Sequence, residues 1–218
     1  MSAERTRDGE ATREAVLSAA EKLFAEQGFD ATSMRDISNA SGVSHPLIHH
    51  HFGSKQDLYD AVKRRLVEGY AIRFPHAARA VNRPINIEAE MHRLMDYIGG
   101  NPLLLKLCAR TQLEDNKQVW PGEPDILTTL RRRIEVSQER GLVRGDLSST
   151  CLCAMVFGMV HFWAQARDHF RQRFGDPVND DEFIEQAIAV LEQGMAPPTE
   201  ATAIREPSLV RVADEPEI

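Results

Sequence analysis

Residues 15–55 restrict the fold more than any other stretch, because three short helical patterns follow one another with only glycine-centred turns between them. Val16, Ala19, Ala20, Leu23 and Phe24 recur at i, i+3 and i+4 spacing, which lays one apolar stripe along one helix face. Gly28 ends that helix, since it accepts the left-handed geometry of a helix C-terminus. Ser33 stands three residues ahead of Asp36, a capping-box-like start for a second helix carrying Met34, Ile37 and Ala40. Gly42 breaks that helix, Val43 supplies a core anchor, and Ser44 can cap a third helix from His45 to His51. Pro46 fits because backbone N–H groups in a helix's first turn have no internal partner.

Helix, short glycine turn, helix is the layout of a helix-turn-helix, whose second helix enters a DNA major groove. The order Ala20, Leu23-Phe24, Gly28, Thr32, Ile37, Gly42-Val43-Ser44, Ile48, Phe52 and Ser54-Lys55 resembles the N-terminal domain of TetR-type transcriptional regulators, over roughly a quarter of the chain. The resemblance implies DNA contacts from Ser33 and Arg35 on the second helix. It implies a recognition helix presenting Ser44, His45, Pro46, Leu47, His49 and His50, and a phosphate-binding Lys55. His49 departs from the pattern, because the family usually has tyrosine there; a histidine can still bond a phosphate oxygen but lacks the hydroxyl. The resemblance further implies a homodimeric regulator, most simply a repressor, on near-palindromic double-stranded operator DNA, released by a small apolar or amphipathic effector.

The overall charge opposes that reading at first sight. The formal net charge is −7, and residues 1–66 hold nine Lys/Arg against ten Asp/Glu. Placement resolves part of the conflict: Glu14, Glu21 and Glu26 lie on the first helix, while Ser44 to Lys55 carries four histidines, a lysine and no acid. Such a face can bind DNA, with weak nonspecific affinity. With 27% charged and 42% hydrophobic residues the chain reads as an ordinary globular protein, long enough for one or two domains. Three cysteines without CxxC spacing fit a reducing cytoplasm. The first fourteen residues lack the apolar core of a signal peptide, and the longest apolar run, Cys151 to Ala166, reads as too short to span a membrane.

The expected organisation is a flexible polar arm at 1–12, a helix-turn-helix domain at 13–58, a helical effector-binding and dimerisation domain at 59–196, and a disordered tail at 197–218. Arg5 and Arg7 in the arm could approach a minor groove. After Lys55 a helix runs to about Phe74 and stops at Pro75; others are expected over 85–98, 103–115, 125–140, 150–174 and 181–195. Gly99-Gly100-Asn101-Pro102 and the turn at 141–146 punctuate them. No strand-like alternation intervenes, so the fold is all-α with about nine helices. The helix from Thr150 is apolar on nearly every side through Ala166, which predicts burial partly against its own domain and partly against a second subunit. Phe162, Trp163, Phe183, Ala187 and Leu191 are the expected dimer contacts.

Met and Trp stripes with a few polar groups nearby describe either core or a small-molecule pocket. Met91, His92, Met95, Arg110, Gln112, Trp120, Met155 and Met159 are the pocket candidates, with His161 a further polar neighbour. Consecutive helical residues point about 100° apart, so His49-His50-His51 cannot converge on one ion, and neither metal nor cofactor is expected. Cys151 and Cys153 read as small core residues, while Cys108 could line a pocket or sense oxidant. The acidic pairs Glu88/Glu90 and Glu114/Asp115 read as solvated surface. No nucleophile elbow, phosphate loop or HExxH suggests an enzyme. The competing readings are a helical ligand-binding or catalytic protein with a vestigial DNA-binding domain, and a metal or redox sensor.

Overall fold

The computed structural model describes residues 2–113, with side chains from Arg7 onward, together with 120–122, 126–175 and 178–197. Ten α-helices and no strand occur among the described residues: α1 (Ser2–Gln27), α2 (Met34–Ser41), α3 (His45–Phe52), α4 (Lys55–Arg73), α5 (Pro75–Ala78), α6 (Ile87–Leu94), α7 (Pro102–Leu113), α8 (Ile126–Glu139), α9 (Ser149–Phe174) and α10 (Asp180–Met195). A π-helical turn, Met95–Gly99, continues α6. The tenth helix beyond the nine expected is α5, a single turn; Pro75 ends α4 and also opens α5, where its missing N–H is harmless.

The expected arm at 1–12 is helical from Ser2 onward and forms the first turns of α1. No proline interrupts it, a single Gly9 weakens a helix by only about 1 kcal/mol, and Thr12 Oγ1 donates to the Asp8 carbonyl at 2.7 Å. Arg7 is exposed on this helix, and the side chain of Arg5 lies outside the described residues. So do Glu114, Asp115 and residues 198–218 of the expected tail.

One continuous apolar cluster runs through the molecule. It begins with Val16, Ala20 and Phe24 of α1, Ile37 of α2 and Ile48 of α3, passes along α4 through Leu58, Val62 and Leu66, and continues into Met91, Leu107, Ile134, Val156 and Ile184. The helix carrying Leu66 therefore belongs to both the N-terminal three-helix unit and the larger helical layer. Here α9 packs against α8 and the π-helical turn, while α10 packs against α6. By length and composition alone α9, at 26 residues, could cross a membrane, contrary to the reading of its apolar run. Leu152, Val156, Val160 and Trp163 instead turn into the protein's own core.

Candidate DNA-reading face and effector cavity

Local chemistry builds the reading unit. Ser33 Oγ accepts the Asp36 N–H at 3.1 Å, and Asp36 Oδ2 accepts the Ser33 N–H at 3.0 Å, so the capping box closes reciprocally at the start of α2. The Ser33 hydroxyl also donates to Asp36 at 2.5 Å; these bonds from Ser33 hold the Asp36 carboxyl below the usual carboxylate range. Ser54 and Asp57 repeat the device at α4. Gly42 ends α2 at φ +70°, and its N–H donates to the Ser38 carbonyl. Ser44 occupies the N-cap position of α3 but makes no side-chain cap bond, so its hydroxyl is unspent at that helix's start.

Ile48 and Phe52 turn α3 into the core, leaving Ser44, His45, Pro46, Leu47, His49 and His50 exposed on one surface, with Arg35 exposed on α2. His51 is half-buried between them. Lys55 behaves differently from a free phosphate ligand. Its Nζ donates to the carbonyls of Phe29 (2.9 Å) and Thr32 (3.0 Å) and lies 4.2 Å from the Phe29 ring centre. Two of the three ammonium donors thus bind α4 to the α1–α2 turn, and one remains for a phosphate. Sequence reading missed Arg13, whose guanidinium lies 5.1 Å from the centre of the Phe52 ring at the end of α3. Only packing reveals it, since Arg13 and Phe52 are far apart in the chain. Among the described residues no cluster of three or more His, Cys, Asp or Glu could hold a metal.

A cavity of about 340 Å³ opens between α4, the π-helical turn, α7, α8 and α9. Its walls are Leu66 and Val67, Tyr97 and Ile98, Leu104 and Cys108, Ile126 and Leu127, and Phe157 and His161, with Thr111, Gln112 and Trp120 also lining it. Of the eight expected pocket residues, only Gln112 and Trp120 are there. Met91 and Met95 are buried core on α6 and the π-helical turn, and His92 is exposed. Met155 is exposed and Met159 half-buried. Both lie two residues from Phe157, about 200° around α9, so they cannot share its cavity face. Arg110 serves α1: its Nε donates to the Ala25 carbonyl at 2.9 Å, and a terminal nitrogen donates to the Glu26 carbonyl. It thereby satisfies carbonyls that the end of a helix leaves without partners.

His161, expected only as a polar neighbour of the pocket, is one of the residues that line it. It is 8% exposed, stacks on Phe157 at 5.6 Å and 13°, and is held at Nε2 by Gln165. Desolvation lowers its pKa, which favours the neutral ring. Burial pushes the Cys108 thiol up to about 12, so it is no reactive thiolate. Cys153 is buried as expected, whereas Cys151 is exposed. Glu90, read as surface, is 3% exposed.

The outer face of α9 and α10 corrects the dimer set. Trp163, Ala187 and Leu191 are buried by the chain itself, and Phe183 stacks on Trp163 at 4.5 Å and 2°. Phe162 remains 60% exposed, with Met155 on the same helix and Val190 on α10. The reason is periodicity: a stripe at helical spacing looks the same whether its own domain or a partner covers it.

Comparison with known proteins agrees with this architecture. Residues 16–62 match the family described as "Bacterial regulatory proteins, tetR family", and residues 88–192 match "Tetracyclin repressor-like, C-terminal domain". The HTH-type transcriptional repressor Rv3405c of Mycobacterium tuberculosis (strain ATCC 25618 / H37Rv) is 51% identical over 129 residues, covering 56% of this chain and 60% of that protein. The HTH-type transcriptional repressor SCO4008 of Streptomyces coelicolor is 27% identical, covering 72% of this chain and 80% of that protein. The crystal structure of a TetR family transcription regulator from Marinobacter aquaeolei VT8 shares the fold, with a TM-score of 0.63 at 19% identity over 88% of this chain and 98% of that one. With an N-terminal reading unit and a C-terminal helical layer each matched separately, this chain belongs to the TetR family of helix-turn-helix transcriptional regulators.

Proposed function

We propose that the protein is a homodimeric repressor that holds a near-palindromic operator and is released from it by a small effector bound in the cavity. Residues 13–58 act as the reading domain and 59–196 as the effector and dimer domain, with the whole molecule working in the cytoplasm. Ser44 to His50 read base edges in the major groove, while Ser33, Arg35, His49 and Lys55 position the backbone. One observation carries the effector half: Leu66 and Val67 of α4 form a wall of the cavity, and the same helix packs on α3. A guest that prefers one position of α4 must then bias the spacing of the two reading helices in a dimer. That coupling requires different effector affinity in the two states. Two relatives are named as repressors, which favours negative control.

The test is selection of bound sequences from random double-stranded DNA in low salt. Two identical reading helices related by a two-fold axis should enrich two inverted half-sites, separated by about one helical turn, ~34–36 Å, or a multiple of it. A consensus with a single asymmetric half-site, or no enrichment, refutes the dimeric reader.

A further inference from the structure

The ionisable groups of the reading helix are all of one kind. Along α3, HPLIHHHF, there is no lysine, arginine, aspartate or glutamate, only His45, His49, His50 and His51. His45, His49 and His50 are exposed on the surface that Ile48 and Phe52 leave outward. None of these three imidazoles makes a hydrogen bond or ion pair among the described residues. His51 is half-buried and meets the His50 ring edge-on at 5.7 Å.

Charged groups on the elements packed against α3 neither neutralise these rings nor replace them. On α1, the Arg13 guanidinium lies over Phe52, at the far end of α3. On α2, Arg35 is exposed, and the Asp36 carboxylate is engaged by Ser33. On α4, Asp57 is engaged by Ser54 in the same way, Asp60 pairs with Lys63 at 2.8 Å, and Lys55 has spent two donors on the Phe29 and Thr32 carbonyls.

A helix built this way brings no side-chain charge to DNA when its imidazoles are neutral, and gains positive charge as they are protonated. Histidine is the side chain that makes this change between about pH 5 and 8. A nearby phosphate favours the charged form. The rest of the molecule offers little long-range attraction to compensate, since its formal net charge is −7.

We propose that protons are co-ligands of the operator complex: His45, His49 and His50 take them up as α3 enters the major groove, so the protein holds its operator more tightly as pH falls from about 8 to 6. The sign follows from linkage, because a complex that binds more protons than its separate parts is favoured by proton activity. This rests on α3 being the reading helix of the proposed function, and it adds the proton to the effector as a second signal.

The test is titration of the full-length protein with the operator returned by selection, at pH 6 and pH 8. Affinity should be at least about tenfold higher at pH 6, the change expected when one imidazole shifts by a single pH unit on binding. The salt slope should be steeper at pH 6 by about 0.9 for each protonated imidazole that displaces a counterion. Calorimetry near pH 7 in two buffers of different ionisation enthalpy counts the protons taken up directly. The triple variant His45→Gln, His49→Gln, His50→Gln keeps polar side chains that cannot charge, so its pH profile and salt slope should be flat and its proton uptake lost. If that variant binds too weakly to measure, the single variants carry the same test, each losing a share of the uptake. Operator binding with no proton uptake, or uptake that survives these substitutions, overturns the inference and leaves the DNA reader in place. No sequence-specific binding at either pH overturns both.

Discussion

A carboxylate at position 90 faces inward from a helix whose neighbouring acid, Glu88, faces water. Glu90 Oε1 accepts the Tyr70 hydroxyl at 2.6 Å, while Oε2 accepts Arg93 at 2.6 Å and Arg133 at 2.5 Å. Arg133 also donates to the Pro84 carbonyl at 3.3 Å, so α4, α6 and α8 meet at one buried anion. Burial by itself raises the Glu90 pKa. Hydrogen bonds from Arg93 and Tyr70, and the charges of Arg93 and Arg133, outweigh it and hold the carboxyl below its usual range. A native value below the unfolded value of about 4.3 stabilises the fold above that pH, and the stabilisation is lost as pH falls through the lowered native value. Glu90→Gln should therefore lower stability by about 3 kcal/mol near neutrality, because Arg133 stays buried without its counter-charge. It should also flatten the acid limb of the stability curve below about pH 4. Denaturant melts from pH 7 down to pH 3 measure both; parallel curves for the two proteins would show that Glu90 is not what titrates.

At the scale of elements, α4 is held by side chains that arrive from the C-terminal helical layer. Tyr97 projects from the π-helical turn to the Leu66 carbonyl, and Gly69, one turn further along α4, leaves room for the ring. A Cβ at Gly69 would run into the Tyr97 hydroxyl. Alanine in place of a mid-helix glycine ordinarily adds roughly 0.5–1 kcal/mol of stability. Here Gly69→Ala should destabilise instead, because it pushes the hydroxyl off its carbonyl. In a Tyr97→Phe background, where the hydroxyl is gone, the same substitution should recover most of that loss. Thermal melts of the four proteins complete the cycle, and simple additivity would mean that the two residues do not press on each other. The capping box at Ser33 and the glycine break at Gly42 are legible in sequence, and the capping box at Ser54 and the cap at Ser148 carry the same kind of local signature, because each is settled within a few residues. The Glu90–Arg133 pair spans 43 positions and the Arg110–Ala25 bond spans 85. Nothing in local pattern marks such partners. The cavity was illegible for the same reason: methionine stripes identified apolar faces, but which face of α9 turns inward depends on α8 and the π-helical turn.

For the whole molecule, a net charge of −7 makes a second reading helix more valuable, because nonspecific attraction to DNA contributes little to holding a single half in place. Affinity for an operator should then depend steeply on dimerisation, and the outer face of α9 and α10 is where a dimer can form without disturbing the core. Phe162 is 60% exposed there and packs edge-to-face on Phe170 at 6.1 Å, whereas Leu191 is 7% exposed and faces inward. The same charged substitution should consequently act in two different ways. Leu191→Glu places an unpaired carboxylate in the core, at a cost of several kcal/mol, and should yield unfolded or aggregated protein. Phe162→Glu leaves the charge in water in the free subunit and buries it only on association. It should give a helical, cooperatively melting monomer that binds a selected operator at least tenfold more weakly than the unaltered dimer. Sedimentation analysis, circular dichroism and an operator titration on each variant separate the two cases. If Phe162→Glu sediments as a dimer and keeps its operator affinity, the subunits meet elsewhere, and the exposed aromatic face of α9 has no part in aligning the two reading helices.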